Sequence, residues 1–310
     1  MLGESLQHAG FVAIVGPPNA GKSTFMNRVL GKQISIVTPR AQTTRNKING
    51  ILTTADAQII FIDTPGITKS DFGKLLNNWM NKYSFSASKD ADLTLFFVDV
   101  SQQHPEMGLG DEEKHILENL PTSASVFLIA NKQDAVKPMR CNDTVALYNR
   151  HFSFKQSFII SAEKGDGVDQ LLKEITQLLP SGPKMFPDGM DSDSPDDFMI
   201  TEIIRGKIFT FLSKELPYHT TVTIDLIKDH DTKNILLINA TIHVARKSQK
   251  GIVIGKAGSM LRKIGSTART DLESLFERQV GLKLFVRIEE KWYGQEKLLK
   301  KVGFDKDFDD

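Results

Sequence analysis

"GPPNAGKS", residues 16–23, decides the fold. It fits the pattern G-x-x-x-x-G-K-[ST] and stands between an apolar run, 11–15, and a helical pattern. In that context backbone N–H groups gather into an anion nest at a helix N-terminus, where the helix dipole adds positive potential. The stretch therefore implies a strand, a phosphate-cradling loop and a helix. Lys22 is expected on the β and γ phosphates, and Ser23 is expected to place its hydroxyl on Mg²⁺. Gly16, Asn19, Ala20, Gly21 and Thr24 complete the expected nucleotide contacts of this loop.

Outward from the loop, short apolar runs at 11–15, 59–62, 93–98, 126–130 and 158–160 alternate with longer helical patterns such as 111–119 and 168–179. The runs are β-rich and mostly continuous, as strands covered on both faces should be. The alternation predicts a doubly wound α/β domain.

The chain has 310 residues and a mass of 34.6 kDa, room for two ordinary domains, and 40% hydrophobic with 25% charged residues is the balance of a globular protein with a sizeable core. A formal net charge of +1 identifies no partner by itself, because a basic patch can be cancelled by acidic segments elsewhere. The single cysteine, Cys141, excludes an internal disulfide and any multi-cysteine metal site, so a cytoplasmic location is expected and Cys141 is expected to be inert. The N-terminal stretch has no basic segment leading into a long apolar one, and no run approaches the ~20 apolar residues that span a bilayer.

Three further motifs specify the ligand. "FIDTPG", 61–66, ends an apolar run with Asp63, suited to hold Mg²⁺ through water, and Gly66 lets a backbone N–H approach the γ-phosphate. "NKQD", 131–134, follows another run; Asp134 offers two carboxylate oxygens to the adjacent N–H donors at N1 and N2 of guanine, which adenine lacks. Asn131 can meet the other face of the base, with Lys132 packed along it. "SAEKG", 161–165, begins with Ser161, and Ala162 is expected to give a backbone N–H to guanine O6. In series these motifs resemble the translation-factor-like branch of the P-loop GTPases over roughly residues 10–180. The "TTR" within "TPRAQTTRNKING", 38–50, is similar to a motif of bacterial GTPases and points to Thr44 as the switch threonine that completes the Mg²⁺ shell when γ-phosphate is present.

After Gly66 comes Ile67, where many signalling GTPases carry the glutamine that orients the attacking water. An isoleucine cannot hydrogen-bond that water, so slow intrinsic turnover is expected. Asn19 resembles the asparagine with which some relatives bind potassium, an arginine-finger substitute; capping of its own loop is the other reading.

The composition changes at "LPSGPKMFPDGMDSDSPDD", 179–197, which reads as an acidic, solvated linker. The expected division is a nucleotide domain at 1–180, the linker at 181–197 and a second domain at 198–310. Beyond the linker a helix is expected at 197–214, with Ser194 as N-cap and Pro195 in its first turn, then strands at 220–227 and 235–244, a helix ending near 279 and a strand at 282–288.

Within that domain lies "VIGKAGSMLRKIG", 253–265. It does not fit a second phosphate loop, but it fits G-x-x-G between two helices, a loop that clamps the nucleic-acid backbone. Gly255, Lys256, Ala257 and Gly258 would grip the backbone, Arg262 and Lys263 would add charge, and Ile252, Val253 and Ile254 would wall a base-binding groove. Arg246, Lys247, Lys250, Lys256, Arg262, Lys263 and Arg269 form a basic stripe with no acidic residue among them. A tight turn with a solvated basic face is the competing reading. The element order resembles the type II KH fold, and a GTPase domain followed by such a domain resembles the bacterial Era GTPases, as do "ELPYHT", 215–220, and the closing "EKWYGQEKLLKKVGF".

That resemblance implies a GTP-dependent assembly factor of the small (30S) ribosomal subunit, monomeric, binding single-stranded RNA at the 3′ end of small-subunit ribosomal RNA. It also implies peripheral contact with the inner membrane face, for which the sequence shows no anchor. Two alternatives stay open: a signalling or membrane-associated GTPase whose C-terminal domain binds a protein, and an RNA-binding scaffold with a vestigial nucleotide site. The acidic tail, 305–310, could occupy the basic stripe when RNA is absent.

Overall fold

The computed structural model describes residues 8–38, 43–45, 47–68, 74–121 and 125–290. The chain divides into two compact units, with the break between Asp193 and Ser194. The first contains β1 (His8–Val15), α1 (Lys22–Leu30), β2 (Ile48–Thr53), β3 (Ala57–Asp63), α2 (Lys74–Asp90), β4 (Leu93–Asp99), α3 (Asp111–Asn119), β5 (Ser125–Asn131), α4 (Pro138–Asn149), β6 (Gln156–Ile160) and α5 (Val168–Leu178).

The sheet runs β2-β3-β1-β4-β5-β6, parallel except for the antiparallel pair β2 and β3. Every residue of β3 and β4 is buried, which is why their sequences are near-continuous apolar runs. On one face Phe25 of α1 packs against Phe61 and Phe97, ring centroids 5.6 and 5.3 Å away. On the other, Ala13, Val15, Phe96, Val98 and Leu128 meet Ile116 of α3 and Tyr148 of α4. The direction of strand succession reverses at β1, and a crevice at the carboxyl ends of the strands opens there, as open α/β sheets require.

Two expectations are corrected. The edge strand β2 was not anticipated: its sequence, "INGILT", is short and broken by Asn and Gly, so it carries neither a continuous apolar run nor clean alternation. The segment 181–197 is not a solvated linker. Residues 181–193 form a strap along the first unit: Ser181 bridges His8 and Ser192 bridges Gly50, and the Ile51 N–H donates to the Asp191 carbonyl at 2.8 Å. Fully buried Gln58 anchors the middle, its Oε1 accepting from the Met185 and Phe186 N–H groups at 2.7 and 2.8 Å and its Nε2 donating to the Phe186 carbonyl at 2.8 Å. Of the acids expected to be solvated, Asp191 pairs with the Lys32 ammonium and Asp193 accepts from Asn49 Nδ2 at 2.7 Å, while Asp188, Asp196 and Asp197 are exposed. The strap covers backbone groups of β2 that an open sheet edge would otherwise present.

The second unit contains α6 (Asp196–Phe211), β7 (Thr220–Asp229), β8 (Ile235–Val244), α7 (Lys247–Ile254), α8 (Ser259–Phe276) and β9 (Gln279–Ile288). Helix α6 starts two residues after Ser194, with Pro195 in the cap position and no side-chain cap, so the Ser194 cap is corrected. The sheet order is β7-β8-β9, antiparallel then parallel. Ile238, Ala240 and Ile242, at every second position of β8, face Ile204 and Ile208 of α6 and Ile264, Ala268 and Leu272 of α8, giving this unit its own core. The strand β9 begins three residues earlier than expected. The closing stretch and the acidic tail, 291–310, lie outside the described residues.

Candidate nucleotide site and nucleic-acid surface

A cavity of about 800 Å³ opens over the loop between β1 and α1, lined by Pro17, Pro18, Asn19, Gly21, Lys22, Ser23, Thr24, Thr44, Gly66, Asp99, Gln103, Lys132 and Glu163, among others. Four chain segments far apart in sequence meet there, because each motif sits at the carboxyl end of a strand or in the loop after it.

Lys22 opens α1 and is almost fully buried, its Nζ donating to the carbonyls of Gly16 and Pro17 at 3.0 and 2.9 Å. Burial pushes its ammonium down to about 8, against the pull of the Asp63 charge. The site is thus short of negative charge, which a polyphosphate would supply. Ser23 Oγ donates to Asp63 Oδ2 at 2.7 Å and lies 3.0 Å from Thr44 Oγ1. Burial raises the Asp63 carboxyl above the usual range, opposed by hydrogen bonds from Ser23 and Ser35 and by Lys22. Asp63 Oδ1 is buried with no hydrogen-bond partner.

Two hydroxyls and a carboxylate with one orphaned oxygen are hard donors that fit a hydrated Mg²⁺. No group of three or more His, Cys, Asp or Glu side chains able to hold a metal occurs among the described residues. A magnesium ion that keeps waters and phosphate oxygens needs no such cage.

The segment after β3, residues 64–68, is pinned from α2. Asn81 exchanges two hydrogen bonds with the backbone of Thr68, and Ser84 Oγ donates to the Pro65 carbonyl at 2.9 Å. Gly66 lies against Pro18. Ile67 is fully buried in the core with Ala13, Val15 and Ile62, so this side chain points away from the phosphates.

At the base end Asn131 joins two loops: its Nδ2 donates to the Ala20 carbonyl at 2.8 Å and its Oδ1 accepts from the Ala162 N–H at 2.9 Å. Gly21, at φ 93°, lies directly over it, and a Cβ there would fall 2.1 Å from Asn131 Nδ2, so only glycine lets the phosphate loop and the base loop meet. Lys132 Nζ pairs with Asp99 Oδ2 at 2.6 Å, and Asp134 is exposed at the rim. Ser161 is buried and shapes its loop, its Oγ accepting from the Lys164 N–H at 3.0 Å.

Several residues here escaped the sequence reading. Arg28 of α1 donates to the carbonyls of Ala162, at 2.6 Å, and Glu163, fixing the loop that carries the Ala162 N–H. Asp99, Gln103, Asn27 and Ser35 likewise belong to no motif, and only their tertiary neighbours give them a role.

In the second unit α7 ends at Ile254, a single tight turn carries Lys256, Ala257 and Gly258, and α8 follows. A Cβ on Gly255, at φ 73°, would sit 2.8 Å from the Met260 backbone nitrogen, whereas one on Gly258 would meet nothing within 4 Å. Gly255 is therefore required by close approach and backbone conformation together, and Gly258, at φ 77° facing open space, by backbone conformation alone. Lys256, Ala257 and Arg262 are exposed, and Arg262 Nη2 donates to the Ala257 carbonyl at 2.8 Å. The apolar wall is corrected: Val253 lies in the core, Ile254 is half-buried and Ile252 is 57% exposed. Lys263 Nζ rests 4.4 Å from the ring centroid of Phe211, a cation–π contact that ties it to α6.

Residues 11–132 match the family described as 50S ribosome-binding GTPase, and residues 215–293 match the KH domain. The chain is 43% identical to GTPase Era of Geobacter metallireducens over 297 residues, 96% of this chain and 97% of that one. It belongs to the Era GTPase family. GTPase Era of Lacticaseibacillus paracasei is 44% identical over 301 residues, 97% of this chain and 98% of that one. Among solved structures, a point variant of Aquifex aeolicus Era bound to GDP·AlF4⁻ superposes with a TM-score of 0.90 at 34% identity, covering 96% of this chain and 99% of that chain. Era in complex with MgGDPNP and nucleotides 1506–1542 of 16S ribosomal RNA gives 0.89, with the same identity and coverage. This Era-family chain is a P-loop GTPase with a C-terminal KH domain.

Proposed function

We propose that this protein hydrolyses GTP and, as a cytoplasmic monomer, binds the single-stranded 3′ end of small-subunit ribosomal RNA to assist maturation of the 30S subunit. The observation that carries it is the likeness over nearly the whole chain to Era bound to MgGDPNP and the 16S RNA segment. The exposed G-K-A-G loop and the basic stripe of this chain supply matching chemistry.

The first unit binds nucleotide with its own groups. The backbone N–H groups of the loop from Gly16 to Ser23 hold the phosphates, and Lys22 leaves its two carbonyl partners for β and γ oxygens. Ser23, Thr44 and Asp63 hold Mg²⁺, the last through water. When bound, Mg²⁺ neutralises charge on the β and γ phosphates. Asp134 accepts from guanine N1 and N2, while Asn131 keeps the Ala162 N–H aimed toward O6. Ile67, sunk in the core, orients no water, so turnover stays slow. Asn19, at φ 62° on the cavity wall, is placed to bind K⁺, which would supply further charge. Closure of Thr44 and Gly66 on γ-phosphate is the event that distinguishes the GTP from the GDP state.

The second unit grips RNA through backbone groups of Gly255–Gly258, with Lys256 and Arg262 on phosphates. Peripheral membrane contact would not involve a spanning helix, since among the described residues no helix is long and apolar enough to cross a bilayer.

The test is binding of a labelled RNA matching the 3′ end of small-subunit ribosomal RNA, with GTP analogue and with GDP, across a salt series. Two phosphate contacts, from Lys256 and Arg262, predict log affinity falling with log salt at a slope of about −1.4, and Lys256→Glu weakening binding at every salt. No salt-dependent binding in either state would refute the RNA reading and favour a protein partner for the KH unit.

A further inference from the structure

The stretch between α1 and the first switch threonine carries no nucleotide motif, yet it is held as firmly as one. Asn27, on α1, turns its amide onto this stretch. Its Oδ1 accepts from the N–H groups of Ile34 and Ser35, both at 2.9 Å, and its Nδ2 donates to the Ser35 carbonyl at 2.7 Å. These three bonds fix the Ser35 backbone. The Ser35 side chain, 1% exposed, then donates from Oγ to Asp63 Oδ2 at 2.7 Å.

Asp63 Oδ2 thus accepts two hydroxyl protons, from Ser23 and from Ser35, while Oδ1 is buried and accepts none. The two hydroxyls differ in fate. Ser23 is expected on the metal through an oxygen lone pair while its proton remains directed at Asp63, so it belongs to the metal's own shell. Ser35 has no such duty. The Ser35 bond holds the carboxylate from outside the metal's own ligands, and a carboxylate held by a fixed hydroxyl is presented in a fixed direction.

We propose that Ser35, itself set by Asn27, is a positioning residue for magnesium: it orients the Asp63 carboxylate for the hydrated ion. The inference rests on the nucleotide and Mg²⁺ site proposed above.

The experiment reads fluorescent GDP release from the full chain across a magnesium titration and in EDTA. Removing one charge-assisted hydrogen bond from a metal-orienting carboxylate in Ser35→Ala is expected to raise the magnesium midpoint about 10-fold, with the EDTA release rate unchanged within about twofold. Asn27→Ala, which frees the stretch without touching Asp63, shifts the midpoint in the same direction. Ser35→Thr, which keeps the hydroxyl, restores it to within about threefold. Equal acceleration of release in EDTA and in magnesium would mean that Ser35 only shapes the pocket and would overturn the proposal, as would an unshifted midpoint beside a normal wild-type response. A wild type that ignores magnesium would overturn the nucleotide reading and this inference together.

Discussion

Replacing Gln58 by leucine tests whether the segment 181–193 is a strap or a tether. The side chain is fully buried at the sheet and makes three hydrogen bonds to the strap backbone, two from the Met185 and Phe186 N–H groups and one to the Phe186 carbonyl. Leucine keeps the volume and removes all three. Each bond contributes roughly 0.5–1.5 kcal/mol net, and the strap is exposed enough for its freed peptide groups to find water, so the loss is about 1.5–4.5 kcal/mol of strap-opening free energy. At 1.4 kcal/mol per factor of ten that is an opening population at least ~10-fold larger. Trypsin cleavage after Lys184, measured where cutting is slow compared with reclosing, should accelerate by that factor, and hydrogen exchange at Met185 and Phe186 should speed up alongside it. The reasoning is refuted if the variant is cut no faster than wild type, or if wild type is already cut as fast as an unfolded peptide.

Asp134→Asn should lower GTP affinity by about 100-fold and improve that for xanthosine triphosphate, because the carboxylate's charge-assisted pair with guanine N1 and N2 is lost; nucleotide competition titrations check this. Arg28→Met should speed GDP release about 10-fold, read by stopped-flow fluorescence, since two donors to the base-loop carbonyls disappear. For pH, burial lowers Lys22 to about 8, so between there and its ordinary 10.5 the empty folded protein binds fewer protons than the unfolded chain. Its stability should therefore rise with pH through that window, while GDP affinity falls above about pH 8 because binding must first restore the proton. Lys22→Met should flatten both profiles in thermal unfolding and titration calorimetry.

Much of the nucleotide site was legible because its chemistry rests on backbone geometry, which forces particular residue types at fixed spacing. "GPPNAGKS", "FIDTPG", "NKQD" and "SAEKG" each follow a strand, and a parallel sheet brings such strand ends to one edge. The second domain was legible through the order of its elements and the glycine pair that a tight helix-helix turn requires. Ser35, Asn27 and Arg28 were invisible for the opposite reason: nothing in a serine, an asparagine or an arginine tells which distant carboxylate or carbonyl it will meet.

By itself, then, the sequence determined the two-domain order, the phosphate loop, the turns that carry "NKQD" and "SAEKG" and the basic G-x-x-G turn, all of which depend on local pattern and backbone conformation. Only the tertiary structure decided that 181–193 binds an edge strand rather than floating, that Ile67 is buried away from the phosphates, that Lys263 lies on Phe211, and that Asp63 is held by a second serine. Those outcomes turn on which surfaces pack together and which buried polar atoms need partners. Residues far apart in the chain settle such questions jointly, and no single stretch of sequence contains the answer.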